Sequence, residues 1–248
     1  MRQILIVISI ALSTQLLAQN AIPAGTVLPV QLNSSLSSDK ARAGQRITGR
    51  IMQDVPLPGG RKIHAGAKVA GHIVSVDQGR IGQPPEITLR FDTLKFGHQT
   101  LPVSTNLRAL ASMMDVDDAQ IPTTGPDRGT PWAWTTRNLI GGEVAYGQGG
   151  PVARGTDVVG QALASGVLIA VKPNATAGCR GEVADGAQLQ ALWIFSSDAC
   201  GLYDLPNLTL AHAGRTAPVG QITLLANKGS VKVLGGSGML LRVNVAAQ

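Results

Sequence analysis

Short runs of alternating polarity, cut off by glycine and proline, constrain this chain more than any other feature. Glu86-Ile87-Thr88-Leu89-Arg90-Phe91-Asp92 has the two-residue period of a half-buried strand. Gln45 to Ile51, Lys68 to Val76, Gln221 to Leu224, Ser230 to Leu234 and Leu240 to Val243 show the same habit. Val167 to Val171 and Ala191 to Phe195 are unbroken apolar runs, which predict strands buried on both faces. Turns are expected at Pro56 to Gly60, Gly79 to Pro85 and Gly235 to Gly238. Ala226-Asn227-Lys228-Gly229 can close a hairpin between Ile222 and Val233. Little beyond the N-terminus has a helical period. The pattern predicts an all-β fold of barrel or sandwich units.

One short motif occurs twice. Ile22-Pro23-Ala24-Gly25-Thr26 is echoed by Ile63-His64-Ala65-Gly66-Ala67. The echo predicts a recurrent turn that starts the following strand at a set register.

The first residues place the chain. Arg2 precedes the apolar run Ile4 to Leu12, and polar residues begin at Ser13. This order is that of a secretory signal peptide, expected to span 1–21. No later segment approaches the roughly 18 apolar residues of a spanning helix. With only 3% aromatic residues, the chain lacks the girdles of an outer-membrane barrel. A periplasmic or extracellular protein is expected, with no transmembrane segment after cleavage.

Cys179 and Cys200 fit an oxidising compartment, and a disulfide between them is the favoured reading. Two free thiols or half a metal site are the alternatives. The segment 113–130 holds Asp115-Val116-Asp117-Asp118 and then a Pro- and Gly-rich stretch. It reads as a linker between a first β unit, 22–112, and a second, 131–248.

The order of elements from Ile22 through Lys62-Ile63-His64-Ala65-Gly66 to Thr88-Leu89-Arg90-Phe91-Asp92 resembles the small β-barrel domain of TrbI-like type IV secretion channel proteins. His64 stands where that family usually has Pro, and Phe91 where Trp is common. The resemblance covers under half the chain and implies a β-barrel module at the cell envelope. The whole chain, with Cys179-Arg180-Gly181 and Ala191-Leu192-Trp193-Ile194-Phe195-Ser196-Ser197-Asp198-Ala199-Cys200-Gly201 in its second half, is similar to uncharacterised exported bacterial β-proteins.

Motifs of known chemistry are sparse. No nucleophile elbow, zinc-protease helix or Walker loop is present. Ser37-Ser38-Asp39-Lys40 fits S-x-x-K but lies between strands, so a polar turn is expected. Gly147-Gln148-Gly149-Gly150 reads as a hairpin loop. Asp115 to Asp118 lacks the Gly and Glu of a calcium loop. His212 with a cysteine would need a third, orienting group to act as a catalytic pair. Trp132-Ala133-Trp134 puts two indoles on one face, either as core or as a platform for a sugar ring. The net charge of +6 is scattered along the sequence, which favours weak attraction to anionic envelope surfaces over nucleic-acid binding.

These features predict a non-catalytic envelope β-protein, binding an envelope protein or glycan, with no cofactor or metal. The alternatives are a glycan or peptidoglycan hydrolase with a loop-borne site, and a glycan-binding module using Trp132 and Trp134.

Overall fold

The echoed turns are the hooks on which the largest sheet hangs. In the computed structural model, which describes residues 22–122, 136–172, 179–211 and 219–244, Thr26 N–H donates to the Pro23 carbonyl at 3.2 Å and Ala67 N–H to the His64 carbonyl at 3.2 Å. Gly25 and Gly66 sit third in these turns, at φ +86° and +88°. That is the type II position where only glycine is free of strain. Two more copies occur. Gln45 N–H donates to Arg42 and Ser237 N–H to Leu234, with Gly44 at φ +80° and Gly236 at φ +93°.

In chain order the strands are β1 (Val27–Leu32), β2 (Leu36–Ser37), β3 (Arg46–Ile51), β4 (Val55–Pro56), β5 (Lys62–Ile63), β6 (Lys68–Asp77), β7 (Glu86–Phe96), β8 (Gln99–Pro102) and β9 (Thr105–Ala111). A helix, α1 (Met113–Gln120), follows. Then come β10 (Arg137–Asn138), β11 (Val144–Ala145), β12 (Pro151–Arg154), β13 (Asp157–Leu163), β14 (Gly166–Ala170), β15 (Leu189–Ala191), β16 (Gly201–Tyr203), β17 (Leu208–Ala211), β18 (Ile222–Ala226), β19 (Lys232–Val233) and β20 (Gly238–Val243). The fold is predominantly β, about 50% strand and 6% helix, as the alternation predicts.

The largest sheet runs β16-β9-β20-β1-β3-β6-β7-β18-β17 and is nearly closed into a barrel, with β8 beside β7. Its two edge strands, β16 and β17, are joined by residues 204–207. The four hooked turns precede β20, β1, β3 and β6, which are consecutive neighbours in the sheet. Each turn glycine also donates its N–H to a nearby strand. Gly25 reaches Val243, Gly236 reaches Leu32, Gly66 reaches Ile51 and Gly44 reaches Ile73, all at 2.8 Å. The pairs β1/β20 and β3/β6 therefore pin each other's register. A one-residue slip would turn every buried side chain outward.

The barrel is filled by Leu28, Val30, Ile47, Ile73, Leu89 and Phe91, among others. A second, six-stranded meander, β10 to β15, covers part of its outer wall. Val27, Ala109 and Leu240 of that wall pack with Val152, Ile169 and Phe195. As a result β1, β9 and β20 are buried on both faces almost throughout.

Four details depart from expectation. The proposed boundary does not separate two sheets, since β16, β17, β18 and β20 complete the barrel begun by β1, β3, β6, β7, β8 and β9. The helix α1 lies inside the expected linker, capped by Ser112, whose Oγ accepts from Asp115 N–H at 3.0 Å. It presses Val116 and Ala119 onto the second core. β18 and β19 form no hairpin, because β18 pairs with β7 and β17 while β19 pairs with β2. Finally, Leu192 to Phe195 is a buried turn, closed by Phe195 N–H on the Leu192 carbonyl at 2.9 Å, with Trp193 at φ +56°. Buried Gln53 takes the place of a pairing strand there, donating to the Val167 carbonyl at 2.9 Å and accepting from Trp193 N–H at 2.7 Å.

Candidate functional site

The buried charges converge where the meander meets the barrel. Arg108 of β9 is 3% exposed. Its Nε donates to the Ala199 carbonyl at 3.0 Å and its Nη2 to the Ser197 carbonyl. Burial, and secondarily Arg242, brings this guanidinium down to about 10. Two carbonyls inside the protein thus draw their donors from one cation.

The same loop is held from its other side by Glu143, whose side chain is 2% exposed. Oε1 accepts from Arg154 Nη2 at 2.8 Å and from Ser197 Oγ at 2.5 Å, while Oε2 accepts from Ser197 N–H at 2.9 Å. Ser197 Oγ in turn accepts from Arg154 Nη2. Ser196 Oγ accepts from Glu143 N–H at 3.0 Å. Arg154 is half-exposed and also lies 3.9 Å from Asp198. A serine beside a carboxylate invites a catalytic reading. Yet Ser197 is fully buried and its hydroxyl is engaged by both neighbours. The cluster's chemistry is that of a satisfied buried network, which fixes one packing of the loop on the sheet.

Cys179 and Cys200 form the expected disulfide, with Cα atoms 5.3 Å apart. It closes the loop 179–200, and Cys179 lines the same small recess as Arg108. Gly181 follows, where a Cβ would lie 2.6 Å from Arg108 Nη2. Replacing both cysteines by alanine is expected to lower stability by about 3 kcal/mol. Urea denaturation of the variant, beside wild type with and without reductant, checks this.

An open cavity of about 490 Å³ lies between α1 and the start of the meander, lined by Asp115, Asp118, Asn138, Ile140 and Tyr203 among others. Desolvation raises the Asp115 carboxyl above its ordinary value, helped by Asp204 and Asp118. Ser112 Oγ donates to Asp204 Oδ2 at 2.7 Å, so the helix cap also positions this second acid.

The other residues singled out by sequence scatter. Trp132, Trp134 and His212 lie outside the described residues. His64 is 3.7 Å from Asp54, His72 is 2.9 Å from Asp92, and His98 sits between β7 and β8. Among the described residues no three His, Cys, Asp or Glu side chains group to hold a metal. Ser37 to Lys40 is the expected polar turn, with buried Ser38 Oγ accepting from Val231 N–H at 3.1 Å. Gly147 to Gly150 is the loop between β11 and β12.

Sequence reasoning missed Glu143, Arg154 and Arg108, which are far apart in the chain and fit no motif. The one signal was polar Ser196-Ser197-Asp198 wedged between an apolar run and a cysteine. No protein-family model matches the chain, and no curated protein matches it.

Proposed function

We propose that this is an exported envelope β-protein acting as a non-catalytic binding or scaffold module, with a barrel akin to that of TrbI-like proteins. The observation that supports it most is the state of Ser197 and Glu143. Among the described residues this reactive-looking pair is sealed from solvent, where the meander meets the barrel. The disulfide is compatible with a non-cytoplasmic compartment. In this role the protein presents rigid sheet faces and edges to an envelope protein or glycan. Cross-linking in intact cells followed by affinity recovery tests it. A reproducible envelope partner is expected, and recovery of the protein alone would overturn the reading.

The acidic cavity favours a second reading, a hydrolase of peptidoglycan or another glycan. Carboxyls in unlike environments can divide acid and base roles. Asp115, whose carboxyl is raised above its ordinary value first by desolvation and then by Asp204 and Asp118, would be the acid and Asp204 or Asp118 its partner. On this reading wild type clears a peptidoglycan zymogram and Asp115→Asn loses at least about a hundredfold in rate. No clearing by wild type removes it.

A further inference from the structure

Like charges line up across three neighbouring strands on the barrel's outer face. Arg50 of β3 is opposite Lys68 of β6, which is opposite Lys95 of β7. Further along, Arg46 is opposite His72, which is opposite Arg90. Their sequence neighbours Ile47, Ile51, Val69, Ile73, Leu89 and Leu94 are buried in the barrel, so the charged side chains point outward. Among the described residues none of the five Lys and Arg side chains has an ion pair. Arg50 donates to Gln31 Oε1 at 3.0 Å, and the nearby Asp92 is paired with His72. Cations directly opposite one another on a sheet are destabilising. Stability gives no reason for the row of Arg50, Lys68 and Lys95, and Arg46 and Arg90 add two further cations to the same face on either side of His72.

The first row ends at an open cavity of about 350 Å³, lined by His64, Gly66, Lys68, Lys95, Phe96 and Gly97. Both lysines therefore reach an already formed recess.

We propose that this face docks the protein on an anionic lipid surface, with phosphate-bearing headgroups held by Lys68 and Lys95 at the recess. Charge complementarity selects an anion, and dimensions select a surface. The rows lie four residues apart, about 13 Å, and each crosses three strands, about 10 Å. That area exceeds one phosphate and suits a planar array of them. Single-stranded nucleic acid is disfavoured, because such sites stack successive bases on aromatic rings. Phe96 is the single Phe, Tyr or Trp lining the recess here. The β6–β7 hairpin adds a tip where Ile81 is fully exposed beside Arg80, an apolar side chain next to a cation. The inference rests on the envelope binding role proposed above and adds a lipid surface to the protein or glycan partner proposed there. A peptidoglycan-hydrolase result would overturn that role and leave the vesicle result untouched, so the two can fail separately.

The test is sedimentation of the full chain with phosphatidylglycerol-containing vesicles against pure phosphatidylcholine vesicles. Binding is expected to the anionic vesicles alone and to fall steeply as salt rises from about 50 to about 500 mM. Lys68→Gln with Lys95→Gln should weaken it about thirtyfold, two surface cations at about fivefold each. Arg46→Gln with Arg90→Gln should act alike. Lys228→Gln with Lys232→Gln, an equal charge change elsewhere on the surface, should alter it less than threefold. No binding to anionic vesicles overturns the proposal. So does an equal loss in the Lys228/Lys232 variant, which would make net charge the cause. Equal binding to both vesicle types overturns it, and so does tighter binding to single-stranded DNA than to vesicles.

Discussion

Glu143→Ala is expected to lower the unfolding free energy by about 3 kcal/mol, because two buried hydrogen-bond donors of Ser197 lose their acceptor. The variant leaves Ser197 N–H and its hydroxyl hydrogen without an acceptor inside the protein and takes the carboxylate partner from Arg154. Because β11 begins just after Glu143 and the Ser196–Cys200 loop leads into β16, the damage falls on the seam between meander and barrel. For a chain of this size the melting temperature should drop by about 10 °C. Glu143→Gln keeps the shape and one acceptor, so it should lose about half as much. Thermal unfolding followed by circular dichroism decides. A loss below about 1 kcal/mol for Glu143→Ala would show that the network contributes little to stability.

Gly71→Ala is the second large effect. Gly71 of β6 sits at a register shift opposite Phe91, where β7 comes too close for any side chain. A Cβ there would land on the Arg90 carbonyl oxygen and lie 2.8 Å from the Phe91 Cα. These are backbone atoms of a central strand pair, so relief requires parting β6 from β7. About 3 kcal/mol or more should be lost, beyond ordinary overpacking. Gly44→Ala is the contrast. It has open space around it but a positive φ, so about 1 kcal/mol is expected. Urea midpoints of the two variants, compared at equal slope, check the ranking. Equal losses would mean that the close approach at Gly71 relaxes easily.

The barrel strands away from the wall that the meander covers were legible because each has one face in oil and one in water. β3, β6 and β7 could be found from period alone, and the turn before β6 from its resemblance to the turn before β1. The strands covered on both sides were harder. β9 reads Thr-Asn-Leu-Arg-Ala-Leu-Ala, with polar residues that only tertiary partners make tolerable inside. Conversely, Leu192 to Phe195 is apolar enough for a strand, but Gln53, 140 residues upstream of Trp193, satisfies its backbone as a turn. The helix had a legible start, Ser112 with Asp115 three residues on, masked by low amphipathicity beyond it. The polar network and the basic rows were illegible for one shared reason. Both are built from residues scattered along the chain, and only strand pairing assembles them.

The place of β20 has a consequence for biogenesis. This strand lies between β1 and β9 although more than 200 residues separate it from β1 in sequence. Until it arrives, two hydrogen-bonding edges stand open in the middle of the wall, and such edges invite aggregation. A nascent chain cannot complete the barrel from its leading half. It must wait for the trailing segment, and during that interval a holdase chaperone would find its natural client.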